Sequence, residues 1–143
     1  MVKVRLVESP RDVETCLRIR WTVFVEEQNV PPSLERDRHD QTDAVHALAL
    51  LGEVPAGAAR FVFVEAGMVK IGRMAVIDDA RGKGVGIAML RFLEEEARRR
   101  GASKSTLWAQ VNARRFYEKA GYTAYGEVFG DAGIPHVKME RDL

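Results

Sequence analysis

Three glycines and two cations occupy one short segment, Arg81–Ile87, between two apolar patterns. Because glycine lacks a Cβ atom, this chain can curl closely around a ligand and point successive amides towards it. A helical pattern follows at once, and the first four amides of a helix have no partner within it, while its dipole adds about half a positive charge. Arg81 and Lys83 add cationic side chains. The segment is predicted to bind a phosphate group; a simple chain reversal is the alternative.

Two common phosphate-binding motifs do not match this segment. A P-loop requires Ser or Thr directly after its Gly-Lys pair, whereas Gly84 follows Lys83 here. The dinucleotide-binding fingerprint requires a glycine three residues after its second glycine, and Ile87 occupies that position. Both motifs are therefore rejected.

An acidic stretch, Glu26–His46, is the second place where side chains could do chemistry. Six acids and two arginines fall within it, which leaves an excess of four negative charges. An acidic rim of this kind would attract a cationic amine, whereas the alternative is that the acids cap turns and pair with neighbouring arginines. A further hypothesis makes Asp37, Asp40 and His46 a metal site.

Tyr117 and two histidines are the candidates for moving a proton. A tyrosine pKa lies near 10, so the phenol of Tyr117 stays protonated at neutral pH and could act as an acid; packing beside Phe116 is its alternative role. His46 and His136 each begin a predicted strand, so either ring could reach a cleft at the strand ends. Each could equally be a hydrogen-bonded structural histidine.

The composition limits the class of protein. A length of 143 residues predicts one domain over residues 1–143, and a formal net charge of +1 gives no global attraction to nucleic acid or an anionic membrane. Cys16 is the single cysteine, which excludes an internal disulfide and favours a reducing compartment. The first residues lack a signal-peptide core, and no apolar run approaches about 18 residues. We expect a cytoplasmic protein with no nucleic-acid or membrane partner.

Apolar periodicity and turn residues place these groups on a regular series of elements. Gly52, Pro55 and Gly57 indicate a turn between two strands, and Trp21 continues the apolar stripe of the first helix. The order β-α-β-β-β-α-β-α-β-β predicts an α/β (α+β) fold: a mixed, mostly antiparallel sheet of about six to seven strands flanked by helices. The predicted elements are strand 2–6, helix 10–25, strands 46–51, 58–65 and 68–77, helix 85–100, strand 106–111, helix 113–120 and strands 122–129 and 136–140.

Three segments resemble the signatures of one superfamily. The Arg-x-x-Gly-x-Gly pattern that begins at Arg81 is similar to the pyrophosphate motif of the GCN5-related N-acetyltransferases (GNAT). The strand Gly72–Val76 resembles that family's fourth strand, whose backbone pairs with the pantetheine arm of the cofactor. Phe116–Tyr122 resembles its second signature, a Tyr on a short helix followed by Gly and an aromatic residue. The resemblance covers nearly the whole chain in element order.

The front half is similar to the ElaA-like or YjcF-like bacterial subgroup of that superfamily. Ile19–Pro31, Glu35–His46 and Gly133–His136 carry this resemblance. One position departs from the superfamily pattern, because Gln110 stands where these enzymes often have Asn, and Asn112 lies out of register. A glutamine amide can still make similar hydrogen bonds.

The resemblance implies an acetyltransferase that uses acetyl-CoA as cosubstrate and no metal. Acetyl transfer would occur directly in a ternary complex, since Cys16 lies on an apolar helix stripe and is expected in the core rather than as a covalent carrier. The positions implied to bind the cofactor are Met74, Ala75, Val76, Arg81, Gly82, Lys83, Gly84, Val85, Gly86, Ile87, Gln110, Asn112, Phe116 and Tyr117.

The acceptor would be a primary amine, on a small molecule or a peptide. Tyr117 would be the general acid towards the departing thiolate, and His136 or His46 the base, although desolvation or a water chain could replace a base. Glu27, Glu35, Asp37 and Asp40 are the acids expected to bind the substrate. We expect a monomer or homodimer. The alternative is a non-catalytic acyl-CoA sensor or protein-interaction module on the same fold.

Overall fold

Seven strands form one sheet in the computed structural model, which describes residues 1–143. The strands are β1 (Val2–Leu6), β2 (Val45–Leu51), β3 (Val54–Glu65), β4 (Met68–Val76), β5 (Lys104–Gln110), β6 (Thr123–Asp131) and β7 (Ile134–Asp142). The helices are α1 (Pro10–Arg20), α2 (Pro32–Glu35), α3 (Val85–Arg99) and α4 (Arg114–Lys119). No helix is long and apolar enough to cross a membrane.

The strand order in the sheet is β1-β2-β3-β4-β5-β7-β6. Each neighbouring pair is antiparallel except β4 and β5, which run parallel because the chain crosses over through α3 between them. The mixed, mostly antiparallel sheet flanked by helices is therefore confirmed. The fold has the predicted element order, with short additional helical turns before β2 and around α4.

Helices cover the two faces of the sheet unequally. On one face α3 buries an apolar stripe that includes Met89 and Leu93 in the main core, against strand residues such as Phe61 and Leu107. On the other face α1 packs a smaller cluster around Cys16, which is fully buried as expected. The second cluster reaches only β2, β3 and β4, so the face of the sheet beyond β4 is left without a covering helix.

Gly57 lies within β3 rather than in a turn, which corrects the predicted Gly52–Gly57 connection. A Cβ atom at Gly57 would stand 2.8 Å from a side-chain carbon of Met89 and 2.9 Å from one of Val85. The glycine is needed because α3 approaches the strand closely, not because the chain reverses there. The turn is shorter and is made at Gly52, which has a φ of +65°.

The first helix is not regular to its predicted end near residue 25. It is α-helical to Arg20 and continues as a π-helix over Trp21–Glu27, where the amide of Gln28 donates to the carbonyl of Val23. The wider turn rotates the expected apolar stripe, so Trp21 is 39% exposed. Such π-helical segments are uncommon and often occur at functional sites.

Strand β4 loses β5 as a neighbour in its second half, and its pairing with β3 is interrupted there. It pairs with β5 only from Met68 to Ile71, so the two strands separate beyond that point. On its other side the register with β3 shifts, and Arg73 and Met74 have no partner on that strand. Arg73 also has a φ of +51°, a left-handed conformation that is uncommon outside glycine. The result is an opening between β4 and β5 next to a β-bulge.

Candidate active site

A cleft of about 810 Å³ lies at this opening. Strands β3 and β4 form one wall and β5 and β7 the other, while the π-helix and the segment after it lie across the front. Arg60 and Val62 of β3 line the cleft. They lie on the same face of the sheet as Ala58, which packs against α1, because alternate residues of a strand share a face. The volume is within the range typical of small-molecule sites.

The predicted phosphate-binding loop has the main-chain geometry that an anion requires. None of the amides from Gly82 to Ile87 donates a hydrogen bond to a protein acceptor. Gly82 and Gly84 have φ values of +75° and +83°, and Gly84 caps α3 without a side chain to satisfy the free amides. Unpaired donors at a helix N-terminus suit a phosphate group, as the sequence predicted for this loop. The side chain of Val85 is buried in the core, so this residue can contribute only its amide.

Arg81 does not add a free charge to the loop. Its guanidinium forms an ion pair of 2.8 Å with Glu27 and one of 3.3 Å with Asp78, and it donates to the carbonyl of Val76. Of the two predicted cations, only Lys83 is exposed without an ion pair. The pairing also occupies Glu27, which is one of the four acids expected to bind substrate.

Tyr117, the expected acid, lines the cleft at the opening between β4 and β5. It extends from α4 across the opening, and its hydroxyl donates to Sδ of Met74 on β4 at 3.7 Å. Burial raises the pKa of Tyr117 to about 12, because the ionised phenolate would lose hydration. Since a thioether is a weak acceptor, the phenol keeps its proton and remains free to donate it to a better partner.

The other predicted cofactor positions surround the same opening. The side-chain amide of Gln110 on β5 donates to the side-chain oxygen of Gln28 at 2.8 Å, so it joins that strand to the end of the π-helix. Asn112 lines the cleft, and Phe116 packs within 3.3 Å of the position of a Cβ on Gly86. Gln110 therefore occupies the expected place, with its amide bonded to the front wall.

Two of the four acids expected to bind substrate are buried in a network of ion pairs, which corrects that interpretation. Arg20 is 1% exposed and forms ion pairs with Glu35 at 2.9 Å and with Asp40 at 2.7 Å. Arg60 also binds Asp40, at 2.7 Å. Burial alone would raise the pKa of Asp40, but the hydrogen bonds and charge of Arg20 outweigh it and hold the pKa well below its usual range.

Asp37 and Arg73 complete this network at the edge of the cleft. Asp37 caps a short 3-10 turn, Arg38–Gln41, and accepts two hydrogen bonds of 2.6 Å from Arg60, which lower its pKa. Arg73, at the bulge, donates to the main-chain oxygen of Glu35 at 2.9 Å. The network thus fixes the segment after the π-helix against β3 and β4. The acids serve as the turn caps and arginine partners that were the alternative for this stretch.

The two histidines have different positions. His46 is buried outside the cleft lining, its Nε2 has no hydrogen-bond partner, and burial lowers its pKa, so it is a neutral core residue. His136 lines the cleft, with Nδ1 2.7 Å from the main-chain oxygen of Ile134. Because a carbonyl oxygen only accepts, Nδ1 carries the proton, and Nε2 of the neutral ring has a free lone pair. Of the two candidates, only His136 lines the cleft.

Several residues of this cleft were not predicted from the sequence, and two of them are in contact. Lys70 on β4 and Trp108 on β5 lie side by side, with Nζ of Lys70 3.2 Å from the Trp108 ring centroid. The alternation of side chains along a strand could have indicated them. The residues on either side of Lys70 and of Trp108 face the core, so these two side chains must point to the opposite face of the sheet. Trp108 is 42% exposed. No group of three or more His, Cys, Asp or Glu residues has the geometry of a metal site.

Comparison with known proteins now identifies the family. The family model described as acetyltransferase (GNAT) domain matches residues 8–143. This chain belongs to the GNAT acetyltransferase family. It is 37% identical over 142 residues to a Bacillus subtilis protein named uncharacterized N-acetyltransferase YjcF, with 99% of this chain and 100% of that protein covered. It is 32% identical over 131 residues to Escherichia coli ElaA, covering 89% and 85%.

Solved GNAT structures have the same fold. The crystal structure of E. coli ElaA superposes with a TM-score of 0.87 and 28% identity over 99% of both chains. An acyl-CoA N-acyltransferase from Pseudomonas aeruginosa superposes with a TM-score of 0.84 and 28% identity, again over 99% of both. The resemblance to the ElaA-like and YjcF-like proteins is therefore confirmed, and family membership supports transferase activity for this GNAT protein.

Proposed function

We propose that this GNAT protein transfers the acetyl group of acetyl-CoA directly to a primary amine. The observation that carries the proposal is the unpaired row of amides from Gly82 to Ile87 at the head of α3, next to the opening between β4 and β5. If the diphosphate of acetyl-CoA is bound there, the extended pantetheine arm of the same molecule can run along the free edge of β4 towards Tyr117. Acetyl-CoA supplies the thioester whose C–S bond breaks as the new C–N bond forms.

Tyr117 supports this assignment as the proton donor. Its hydroxyl is held at the opening by a weak contact with Met74 and remains protonated because burial raises its pKa to about 12. The phenol can therefore give its proton to the departing sulfur. The bulge at Arg73 and Met74 leaves main-chain groups without a partner on β3, and we propose that an amide of this segment polarises the thioester carbonyl.

His136 is the proposed base for the amine. A lysine-like amine titrates near 10.4, so making it neutral at pH 7 costs about 5 kcal/mol, which one positioned base can offset in part. Nε2 of His136 can take that proton, since Nδ1 is bound to the carbonyl of Ile134. Stacking at 6.0 Å against Phe129 helps to orient the ring.

The experiment measures thiol release from acetyl-CoA with a panel of primary amines, together with calorimetry of coenzyme A binding. We expect saturable binding and turnover with at least one amine class among amino acids, peptides and polyamines. Absence of both would refute the proposal. Tight binding without turnover on the whole panel would favour the sensor alternative, in which neither Tyr117 nor His136 has a chemical role.

A further inference from the structure

Lys70 is the one lysine or arginine of the cleft lining that makes no ion pair. Arg60, Arg73 and Arg81 also line the cleft, and each is bound to at least one carboxylate. The ammonium of Lys70 is half-buried and rests on the face of Trp108, 3.2 Å from the ring centroid, which favours the charged form. It therefore presents an uncompensated positive charge to the interior of the substrate cleft.

The surroundings of Lys70 leave its charge only partly balanced. Burial lowers the pKa of Lys70 to about 8, and the guanidinium groups of Arg73 and Arg60 act in the same direction. Asp131 and Asp37 act in the opposite direction, but neither forms an ion pair with it. A half-buried cation without a counter-ion is costly, so an anionic ligand group at this point would be favoured.

The position of Lys70 relative to the reacting atoms sets the size of such a ligand. Met74, which contacts the Tyr117 hydroxyl, lies four residues further along β4. A fully extended strand would separate the two positions by about 13 Å, and the bulge at Arg73 shortens this to about 10–13 Å. An α-amino acid is too short to reach from one to the other. An extended peptide covers about 3.3–3.6 Å per residue, so three or four residues would span the distance.

We propose that the acceptor is an extended molecule of this kind, with the reactive amine at one end and a carboxylate bound by Lys70 at the other. A tripeptide or tetrapeptide with a free C-terminus has the required chemistry. The inference rests on the proposed function, because it assigns the amine end to the opening at Tyr117. It narrows the acceptor class from any primary amine to one that carries a distant anion.

The test compares alanine peptides of one to four residues, each as the free acid and as the C-terminal amide. For each pair we would measure kcat/KM with acetyl-CoA, and by calorimetry the affinity of the coenzyme A-loaded protein for both forms. We expect the acid to be favoured roughly tenfold to a hundredfold at three or four residues, and the ratio to approach one for the single amino acid.

Two lysine variants show whether the preference arises at Lys70. Lys70→Met keeps an unbranched chain against Trp108 but removes the charge, so the ratio of acid to amide should fall to near one. Lys138→Met is the matched control, because Lys138 lies 5.8 Å from the same ring centroid but is exposed and does not line the cleft. The control should keep the wild-type ratio.

The outcomes separate this inference from the proposed function. Equal kcat/KM and equal affinity for acid and amide at every length would overturn the carboxylate site even if turnover occurs. A preference that survives in Lys70→Met would overturn it too. If no peptide turns over but the free acid still binds better in a Lys70-dependent way, the carboxylate site stands and the assignment of catalysis fails.

Discussion

Replacing Gly84 with alanine should weaken coenzyme A binding much more than the small loss of stability would suggest. Gly84 has a φ of +83°, and a Cβ built on it meets no atom within 4 Å. The folding penalty therefore comes from backbone strain alone, about 1–2 kcal/mol for an L-residue in the left-handed region. For a chain of this length that penalty lowers Tm by about 3–8 °C.

The effect on binding has a different origin. The strain of an alanine at position 84 is relieved by a shift of φ, and such a shift would reorient the neighbouring amides. Loss of a single hydrogen bond to a charged group costs about 1.5–3 kcal/mol. We therefore expect the Kd for coenzyme A to rise roughly tenfold to a hundredfold.

Gly101→Ala provides a control with the same strain. Gly101 follows the C-terminal end of α3, has a φ of +98° and also has no atom within 4 Å of a built Cβ. The 15-residue helix separates the two glycines by about 20 Å. Calorimetry should show normal coenzyme A affinity for Gly101→Ala at a similar loss of Tm. Wild-type affinity in Gly84→Ala, or an equal loss in both variants, would refute the phosphate cradle.

Three further predictions concern the acid and the ion-pair network. Tyr117→Phe should lower kcat roughly 10²–10⁴-fold while changing the Kd of coenzyme A much less, as single-turnover kinetics and calorimetry would show; unchanged kcat contradicts the acid role. Glu35→Gln removes one of the two carboxylate charges paired with the buried Arg20 and should cost about 1.5–3 kcal/mol in urea unfolding, against less than about 1 kcal/mol for the exposed Glu95→Gln. Because the pKa of Asp40 is lowered in the folded state, the free energy of unfolding should fall as pH drops below about 4, and a flat profile down to pH 2 would contradict this.

The ion-pair network also explains why the front of the cleft is held in place. Arg20 lies at the end of α1, Glu35 at the end of α2, and Asp40 in the 3-10 turn, so one buried guanidinium joins three separate elements. Arg73 adds the bulged part of β4 through the carbonyl of Glu35. Loss of this network is therefore expected to disturb the acceptor side of the cleft as well as stability.

Features that depend on local sequence were predicted well. The element order followed from apolar periodicity, and the glycine-rich turn before α3 followed from glycines such as Gly82 and Gly84, whose positive φ values need no distant contact to explain them. Tyr117 could be identified as the candidate acid because it lies in a short motif on one helix. In each case the physical cause lies within a few residues of the position concerned, so the linear sequence contains it.

Features that depend on contacts between distant elements could not be predicted from the sequence. The acids at Glu35 and Asp40 looked like a substrate rim because nothing in the sequence states that Arg20 and Arg60 are buried beside them. His46 and His136 each begin a predicted strand, yet only His136 lines the cleft.

Lys70 could be recognised as a candidate ligand-binding cation only in the structure, where the sheet register places it next to Trp108 and it forms no ion pair. The amino-acid sequence by itself thus determined the elements and the glycine-rich turn before α3, since both arise from local backbone preferences. The tertiary structure alone decided which charges are neutralised and which face the substrate, because electrostatic partners are set by packing and not by distance along the chain.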